Sequence, residues 1–595
     1  MLNQEQKNAV SVIDGPVMCL AGPGSGKTHT IIQRILHLIK MGIPPLNILV
    51  ITFSKSAATE LQNRFFSQTN GEYFPVTFGT FHAVFFHILN EKYHYKASDI
   101  LSLSQKMEYM KTACVQSDGK KEPDEEEILQ HLQKLAVYKN NAGKIKITLE
   151  EKNIYEIYKK ICIENRKIDF EDMMLKCYEV LKTDSEICNF YRKKFQYIIV
   201  DEFQDINPIQ YLILRILAKP KNNLMVVGDD DQSIYGFRGS KPQILLSFQK
   251  DFPNVKQIQF KKNYRSTKEI VKFSQDIICD NKIRYMKTFD TINEAGNKVE
   301  IIGFKDREEE YGFLVDKLRM KGVEYGFENI ACLFRTNMDA AAIQERLFKE
   351  KIPCTMKEKA WNPYEHFIWM DFFHYLLLAK GDGTPKDFYA IMNKPLRYFS
   401  RNAMNGKVFS LEELYKFYKD KAYMKQYIDK FSYDLQMLRN MDFFGAINYI
   451  RRVIGYDEYL RKKAFEEGKE SKEYLEIADL LQRQAAQFHT LQELTQHIDK
   501  YGMALKAAAV HKNGIRFMTF HGAKGLEFDC VYIMDCNEGI IPHKKSGSEE
   551  ETEEERRMFY VAITRAKKEL SIYYLKGTEE RRFFPSRFIS KKIKR

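Results

Sequence analysis

AGPGSGKT, at positions 21–28 of this 595-residue chain, limits the possible folds more than any other segment. An apolar run, VMCL (17–20), leads into it, and an amphipathic stretch, THTIIQRILHLIK (28–40), carries on from it. A short aliphatic run, a glycine-rich turn and a helical repeat in that order read as strand, loop and helix of an α/β unit. Gly22, Gly24 and Gly26 let backbone N–H groups curl around an anion, with the positive end of the helix dipole behind them. Lys27 is placed to neutralise β- and γ-phosphates, and Thr28 to offer its hydroxyl to Mg2+. Pro23 and Ser25 complete the loop, Ala21 stands where a first glycine is usual, and His29 follows the threonine. The expectation is an ATP-binding loop running from Ala21 to His29.

Two other segments follow apolar runs in the same way. DEFQD (201–205) comes directly after YIIV. Asp201 is expected to hold Mg2+, and Glu202 to orient and deprotonate an attacking water. GDDDQSIYGFRGS (228–240) comes after LMVV, and Gln232 is the expected sensor of the γ-phosphate or of that water. Tyr235, Phe237 and Arg238 lie on the same turn among glycines, which predicts exposure. Aromatic faces beside a cation bind single-stranded nucleic acid without sequence preference.

Runs of four to six aliphatic residues recur in two groups, which predicts two parallel sheets. VMCL (17–20), ILVITF (48–53), YIIVDE (197–202), LMVVGD (224–229) and VKQIQF (255–260) form the first group. VEIIGF (299–304), ACLFR (331–335), FMTF (517–520), CVYIMD (530–535) and LSIYYL (570–575) form the second. Charged stretches of helical periodicity interrupt each group, between about Phe81 and Phe170 and between about Trp361 and Tyr501. The acidic patch SGSEEETEEERR (546–557) reads as a solvated loop leading into a helix.

With these elements placed, the chain resembles a superfamily 1A DNA helicase of the UvrD/PcrA/Rep family. LNQEQ (2–6) resembles the Q motif, TFSKSAATEL (52–61) motif Ia and FGTFHAVFFHIL (78–89) motif Ib. DFEDMM (169–174), NYRS (263–266) and FRTNMDAAAIQERL (334–347) continue the series. MTFHGAKGLEFDCVYIMDCNEGIIPH (518–543), EEERRMFYVAITRAKKEL (553–570) and FFPSRFI (583–589) complete it. The resemblance implies two RecA-like lobes of a P-loop NTPase, each carrying a mostly helical insertion. Lobe 1A would comprise 1–82 and 166–262, insertion 1B 83–165, lobe 2A 263–360 and 506–595, and insertion 2B 361–505.

It also implies roles for particular residues. Gln6 would read the adenine edge and Tyr264 stack on the base, while Glu527 would contact the ribose. Arg265 and Arg565 would be arginine fingers completing a catalytic set with Lys27, Asp201, Glu202 and Gln232. Phe53, His82, Phe170, Tyr235, Phe237, Arg238 and His521 would line a single-strand track. Movement would run 3′ to 5′, with ATP and Mg2+ as cofactors and single-stranded DNA and its junctions with duplex as partners. Two departures stand out. His29 replaces a common arginine, and Tyr398-Phe399-Ser400 replaces a Gly-Ile-Gly turn used for duplex contact.

The bulk properties agree with that picture. A net charge of +13 suits a polyanionic partner. Ten cysteines form no C-x-x-C pair, so neither a zinc or iron–sulfur site nor a disulfide framework is expected. MLNQEQKNAV lacks the features of a secretory leader and no run is long enough for a membrane helix, so a reduced, cytoplasmic setting is expected. Two rival roles remain open: a single-strand translocase with weak unwinding, and a motor acting with a separate loading or nuclease chain.

Overall fold

The computed structural model describes residues 2–118, 123, 125–236, 239–356, 361–404, 406, 408–466, 471–508, 513–544, 546–577 and 582–593. They divide into two compact units. The first comprises Met1–Glu310, Asn329–Arg335 and Thr519–Arg595, the second Tyr311–Glu328 and Thr336–Met518.

The first unit opens with a parallel sheet of β1 (Val17–Ala21), β2 (Ile48–Thr52), β3 (Thr77–Thr80), β4 (Tyr197–Val200), β5 (Leu224–Gly228) and β6 (Lys256–Phe260). Their order across the sheet is β3-β2-β4-β5-β1-β6. Both faces are covered, which explains the unbroken apolar runs. Val17 and Cys19 pack with Ile31, Ile35 and Leu38 on one face. Met18 and Leu20, one residue out of phase, pack with Phe85, Ile88, Met173 and Cys177 on the other. Because all six strands run one way, the segments following β1, β2, β4 and β5 emerge at a single edge, where parallel sheets bind ligands. β3 was missed in the sequence because TFGT buries only its glycine.

Helices α1 (Gln4–Ser11), α2 (Lys27–Lys40), α3 (Lys55–Gln68) and α4 (Phe81–Tyr93) punctuate these strands. The region that reads as a helical insertion holds α5 (Leu103–Asp118), α6 (Glu125–Asn140) and α7 (Leu149–Glu164), and α8 (Phe170–Thr183) follows. α5 to α7 enclose a separate core around Met110, Ala113, Ile128 and Tyr158. α4 and α8 instead share the core of the sheet. Lys139 of α6 ties them together, buried 2.7 Å from Asp169 and 2.9 Å from Asp172 at the start of α8.

A short parallel pair, β7 (Lys262–Asn263) and β8 (Asp290–Thr291), precedes the second set of strands. In the first unit these are β9 (Glu300–Phe304), β10 (Ile330–Phe334), β13 (Phe528–Ile533) and β14 (Ala566–Leu575), in the parallel order β10-β13-β14-β9. β11 (Cys354–Met356) and β12 (Ile515–Thr519) also pair in parallel. Helices between Phe367 and Ala508 surround a second-unit core that includes Trp369, Phe372, Phe431 and Leu481. There Tyr398 is exposed with a φ of 62°, a left-handed turn that favours glycine, while Phe399 is buried in the core.

α1 is fastened to the sheet by a charge. Arg34 of α2 is buried and donates to the carbonyls of Ala9 (2.9 Å), Val12 and Ile13 (3.4 Å) around the end of α1. Arg34→Leu, which leaves the buried Ala9 carbonyl and the half-buried Val12 and Ile13 carbonyls without this donor, is expected to cost about 2–4 kcal/mol and lower the first thermal unfolding transition. An unchanged transition would contradict this role.

Candidate functional site

The glycine-rich loop joins β1 to α2, with Gly24 and Gly26 at φ of 67° and 78°. Each glycine also makes room for a different neighbour. A Cβ on Gly22 would lie 2.4 Å from the Phe289 ring, one on Gly24 2.6 Å from Cβ of Arg265, and one on Gly26 2.7 Å from Nε2 of Gln6. Three segments therefore close on the loop at contact distance, and none tolerates a side chain there.

Gln6 shares a capping box with Asn3 and donates 3.0 Å to the Ser25 carbonyl, so α1 rests on the loop. Asn3 also donates 2.9 Å to the Tyr264 hydroxyl, and the Tyr264 amide donates 2.8 Å to Gly24. Tyr264 remains 39% exposed, leaving a ring face open to a planar base. Asn263, which the sequence reading passed over, donates 2.8 Å to the Pro23 carbonyl and accepts from the amides of Arg265 and Ser266. Thr28 is half-buried and His29 exposed at the start of α2.

Lys27 meets Glu202 at 3.1 Å. Glu202 has a φ of 51°, a costly conformation for a residue with a Cβ and one that clusters at functional sites. Gln204 donates 2.5 Å to the other oxygen of Glu202 and accepts from the amide of Asp229, so it ties the end of β4 to the end of β5. Burial works against the charge on Glu202, but Lys27 and then Lys524 outweigh it and bring the carboxyl down to about 2. Burial and the neighbouring Glu202 push Asp201 up to about 7. Burial pushes Asp205 up to about 6 although Lys524 lies 2.5 Å away.

Gln232 sits buried in a short helical turn after β5. Its amide nitrogen donates 2.7 Å to Asp229, and Nη2 of Arg565 reaches its oxygen at 3.5 Å. Arg565 is itself buried and held by the Val561 and Leu526 carbonyls and the Thr564 hydroxyl. Arg265 donates 2.7 Å to Glu527, which Lys567 also meets at 3.0 Å. Burial presses on the charge of Arg565, with Arg265 adding to it, so the pair suits a ligand of high negative charge.

Aromatic side chains gather in two groups beside the site. Phe53 and Tyr235 stack at 4.9 Å and 12°, with His521 6.1 Å from Tyr235 and the Lys524 ammonium 5.0 Å above it. His82 and Phe170 meet edge to face at 5.3 Å. Phe170 is exposed, whereas Tyr235 is half-buried by its stack and not fully exposed as expected. Phe237 and Arg238 lie outside the described residues.

Several participants carried no signal that single-motif reading could use. The acidic run at 546–557 leads into a helix as expected, and it is exposed from Gly547 to Glu551, but its second half is buried or half-buried. Ser548 caps the Glu549–Ile563 helix, and Glu553 and Glu555 are buried. Glu554 accepts 2.9 Å from the Gly236 amide, and Arg557 donates 3.0 Å to the Ser233 carbonyl. Glu555 forms a forked pair with Arg335. Among the described residues no group of three or more side chains could hold a zinc-type metal, and no helix is long and apolar enough to cross a membrane.

A phosphate loop, an adjacent carboxylate pair and two arginines from a second parallel-sheet lobe define a P-loop NTPase of two RecA-like lobes. The profile of the UvrD/REP helicase N-terminal domain matches residues 2–253, and that of the UvrD-like helicase C-terminal domain residues 258–577. The chain belongs to the UvrD/REP helicase family. YjcD of Bacillus subtilis (strain 168), which carries an ATP-dependent DNA helicase name, is 34% identical over 96% of this chain and 78% of its own length. The ATP-dependent DNA helicase PcrA of the same organism is 31% identical over 98% of this chain and 83% of its own. DNA helicase II of Rickettsia typhi (strain ATCC VR-144 / Wilmington) is 31% identical over 99% and 95%.

Lys27 and then Lys524 favour the charged form of Glu202. Lys524→Met removes one of those cations, so the Glu202 carboxyl moves up. The acid limb of nucleotide turnover is expected to shift to higher pH, read from kcat against pH. A limb that stays in place would show that Lys524 does not act on Glu202.

Proposed function

We propose that this chain, an ATP-dependent DNA helicase of the UvrD/PcrA type, moves 3′ to 5′ on single-stranded DNA and uses ATP hydrolysis between its two RecA-like lobes to advance. The observation that carries this reading is the contact of Arg565 with Gln232, supported by Lys524 on Asp205 and the Gln232 carbonyl. Groups of the second lobe thereby reach the turn that follows β5. In this reading the loop amides and Lys27 bind the phosphates, and Tyr264 stacks on the base. Glu202 takes the proton of the attacking water, and Gln232 holds that water or the γ-phosphate. Arg265 and Arg565 stabilise the charge that develops on the transferred group, so hydrolysis requires closure of the lobes.

Thr28 and Asp201 are the residues that would hold Mg2+, which supplies charge neutralisation across the phosphates when bound. The donor set fits: both ligands are oxygens, as a hard cation requires, and burial leaves Asp201 pushed up to about 7 with its neighbour Glu202 already taken by Lys27. Closure would shift His521 of lobe 2A relative to Phe53, His82, Phe170 and Tyr235 of lobe 1A, and so pass bases along the strand track. The ten free cysteines support a reduced, cytoplasmic setting.

A second reading, a translocase that unwinds weakly by itself or serves a separate loading or nuclease chain, draws on the 398–400 segment. Phe399 is buried, so this turn offers Tyr398 in place of two glycines and an aliphatic residue.

Lys27→Ala and Glu202→Gln are expected to abolish DNA-stimulated ATPase while single-strand binding, measured by anisotropy, persists. Near-normal ATPase in Glu202→Gln would remove its assignment as base. Arg565→Ala is expected to lower kcat at least about tenfold with less change in KM. Tailed duplexes of opposite polarity test direction, and robust opening of a forked duplex by the chain alone would eliminate the second reading.

A further inference from the structure

One continuous segment, Asn281 to Phe289, runs from the Glu549–Ile563 helix to the phosphate loop. Asn281 donates 3.0 Å to the carbonyl of Glu553, Arg284 forks onto Asp231 at 2.8 and 2.7 Å, and Phe289 lies against Gly22. Between them stands Lys287, whose side chain is fully buried. Its ammonium donates to Asp229 and Asp230 and lies 3.0 Å from Asp231. Asp229 is shared: one oxygen accepts from Lys287, and the other accepts 2.7 Å from the side-chain amide of Gln232. An amide can be turned end for end, and this bond fixes Gln232 with its nitrogen on Asp229 and its oxygen facing Arg565.

We infer that Lys287 is a positioning residue for hydrolysis: by pinning Asp229 it sets the orientation in which Gln232 meets Arg565. The inference rests on the reading of Gln232 as the sensor. It differs from simple neutralisation of three buried carboxylates, because it requires that the effect of Lys287 pass through the Gln232 side chain. Asp229 is where the two accounts can be separated. Asp229→Asn still leaves Lys287 and Arg284 matched by Asp230 and Asp231. Its NH2 group, however, donates and cannot accept, so only one of Lys287 and Gln232 keeps its acceptor.

The test is a double-mutant cycle on the full chain with DNA-stimulated ATPase as readout, using Lys287→Met and Asp229→Asn, each with and without Gln232→Ala. Folding is checked by circular dichroism, and Asp229→Asn carries the test if Lys287→Met does not fold. Each single change is expected to lower kcat at least about tenfold with KM for ATP within about twofold, and to add little once Gln232 is alanine. Equal fold losses in both backgrounds, or no loss at all, overturn the inference. If Gln232→Ala alone retains full turnover, the sensor assignment fails first and the positioning role with it. If that variant is impaired but the Lys287 and Asp229 variants are not, only the present inference falls.

Discussion

Carboxylates buried or half-buried where β4 and β5 end set the terms for the rest of the molecule. Asp201, Glu202, Asp205 and the Asp229–Asp231 run all lie within a few residues of those two strand ends, and ionised groups stay in such a place only with cations beside them. Lys27 comes from the phosphate loop, Lys524 from the segment after β12, and Lys287 and Arg284 from the segment before β8. Three stretches far apart in sequence are thus brought to one sheet edge by charge. The nucleotide chemistry proposed above would use the same edge, so the forces that assemble the lobes and those that would act on phosphate are of one kind.

The turn from Asp229 to Gly236 is where these demands meet. From its own lobe it receives Gln204, and from the other lobe Lys287, Arg565, Arg557, Glu554, His521 and Lys524. Nearly every one of these bonds ends on a backbone atom or on a short acidic side chain, which gives the turn little freedom within this arrangement. Tyr235 leaves the same turn to stack on Phe53, so the geometry around Gln232 and the geometry of an aromatic stack are joined by two residues of backbone. In the proposed function, that short connection would link a phosphate event to movement along a strand.

Much of this was legible beforehand where local chemistry is strong. The loop needs glycine at particular backbone angles, and buried parallel strands need unbroken aliphatic runs, so both leave marks in consecutive residues. Where the signal is weak, the reading was coarser. β3 and β11 are three or four residues with little apolar character. The acidic run before Arg556 looked like solvent-facing sequence, yet three of its glutamates find amides or arginines presented by other segments. Tyr235 looked exposed because its sequence neighbours are small and polar, whereas its actual neighbours are Phe53, His521 and Lys524.

By itself the sequence determined that the chain is an α/β protein with a phosphate loop, which acids follow which strands, and which family its motifs resemble. Only the tertiary structure decided that Gln204 ties Glu202 to Asp229, that Asn263 carries Tyr264 and Arg265 onto the loop, and that Lys287 shares Asp229 with Gln232. The reason is the range of the interactions. Glycine angles and strand periodicity are properties of neighbours in the chain. The pairing of a buried lysine with a buried aspartate depends on which strand ends the fold brings together, and no local pattern records it.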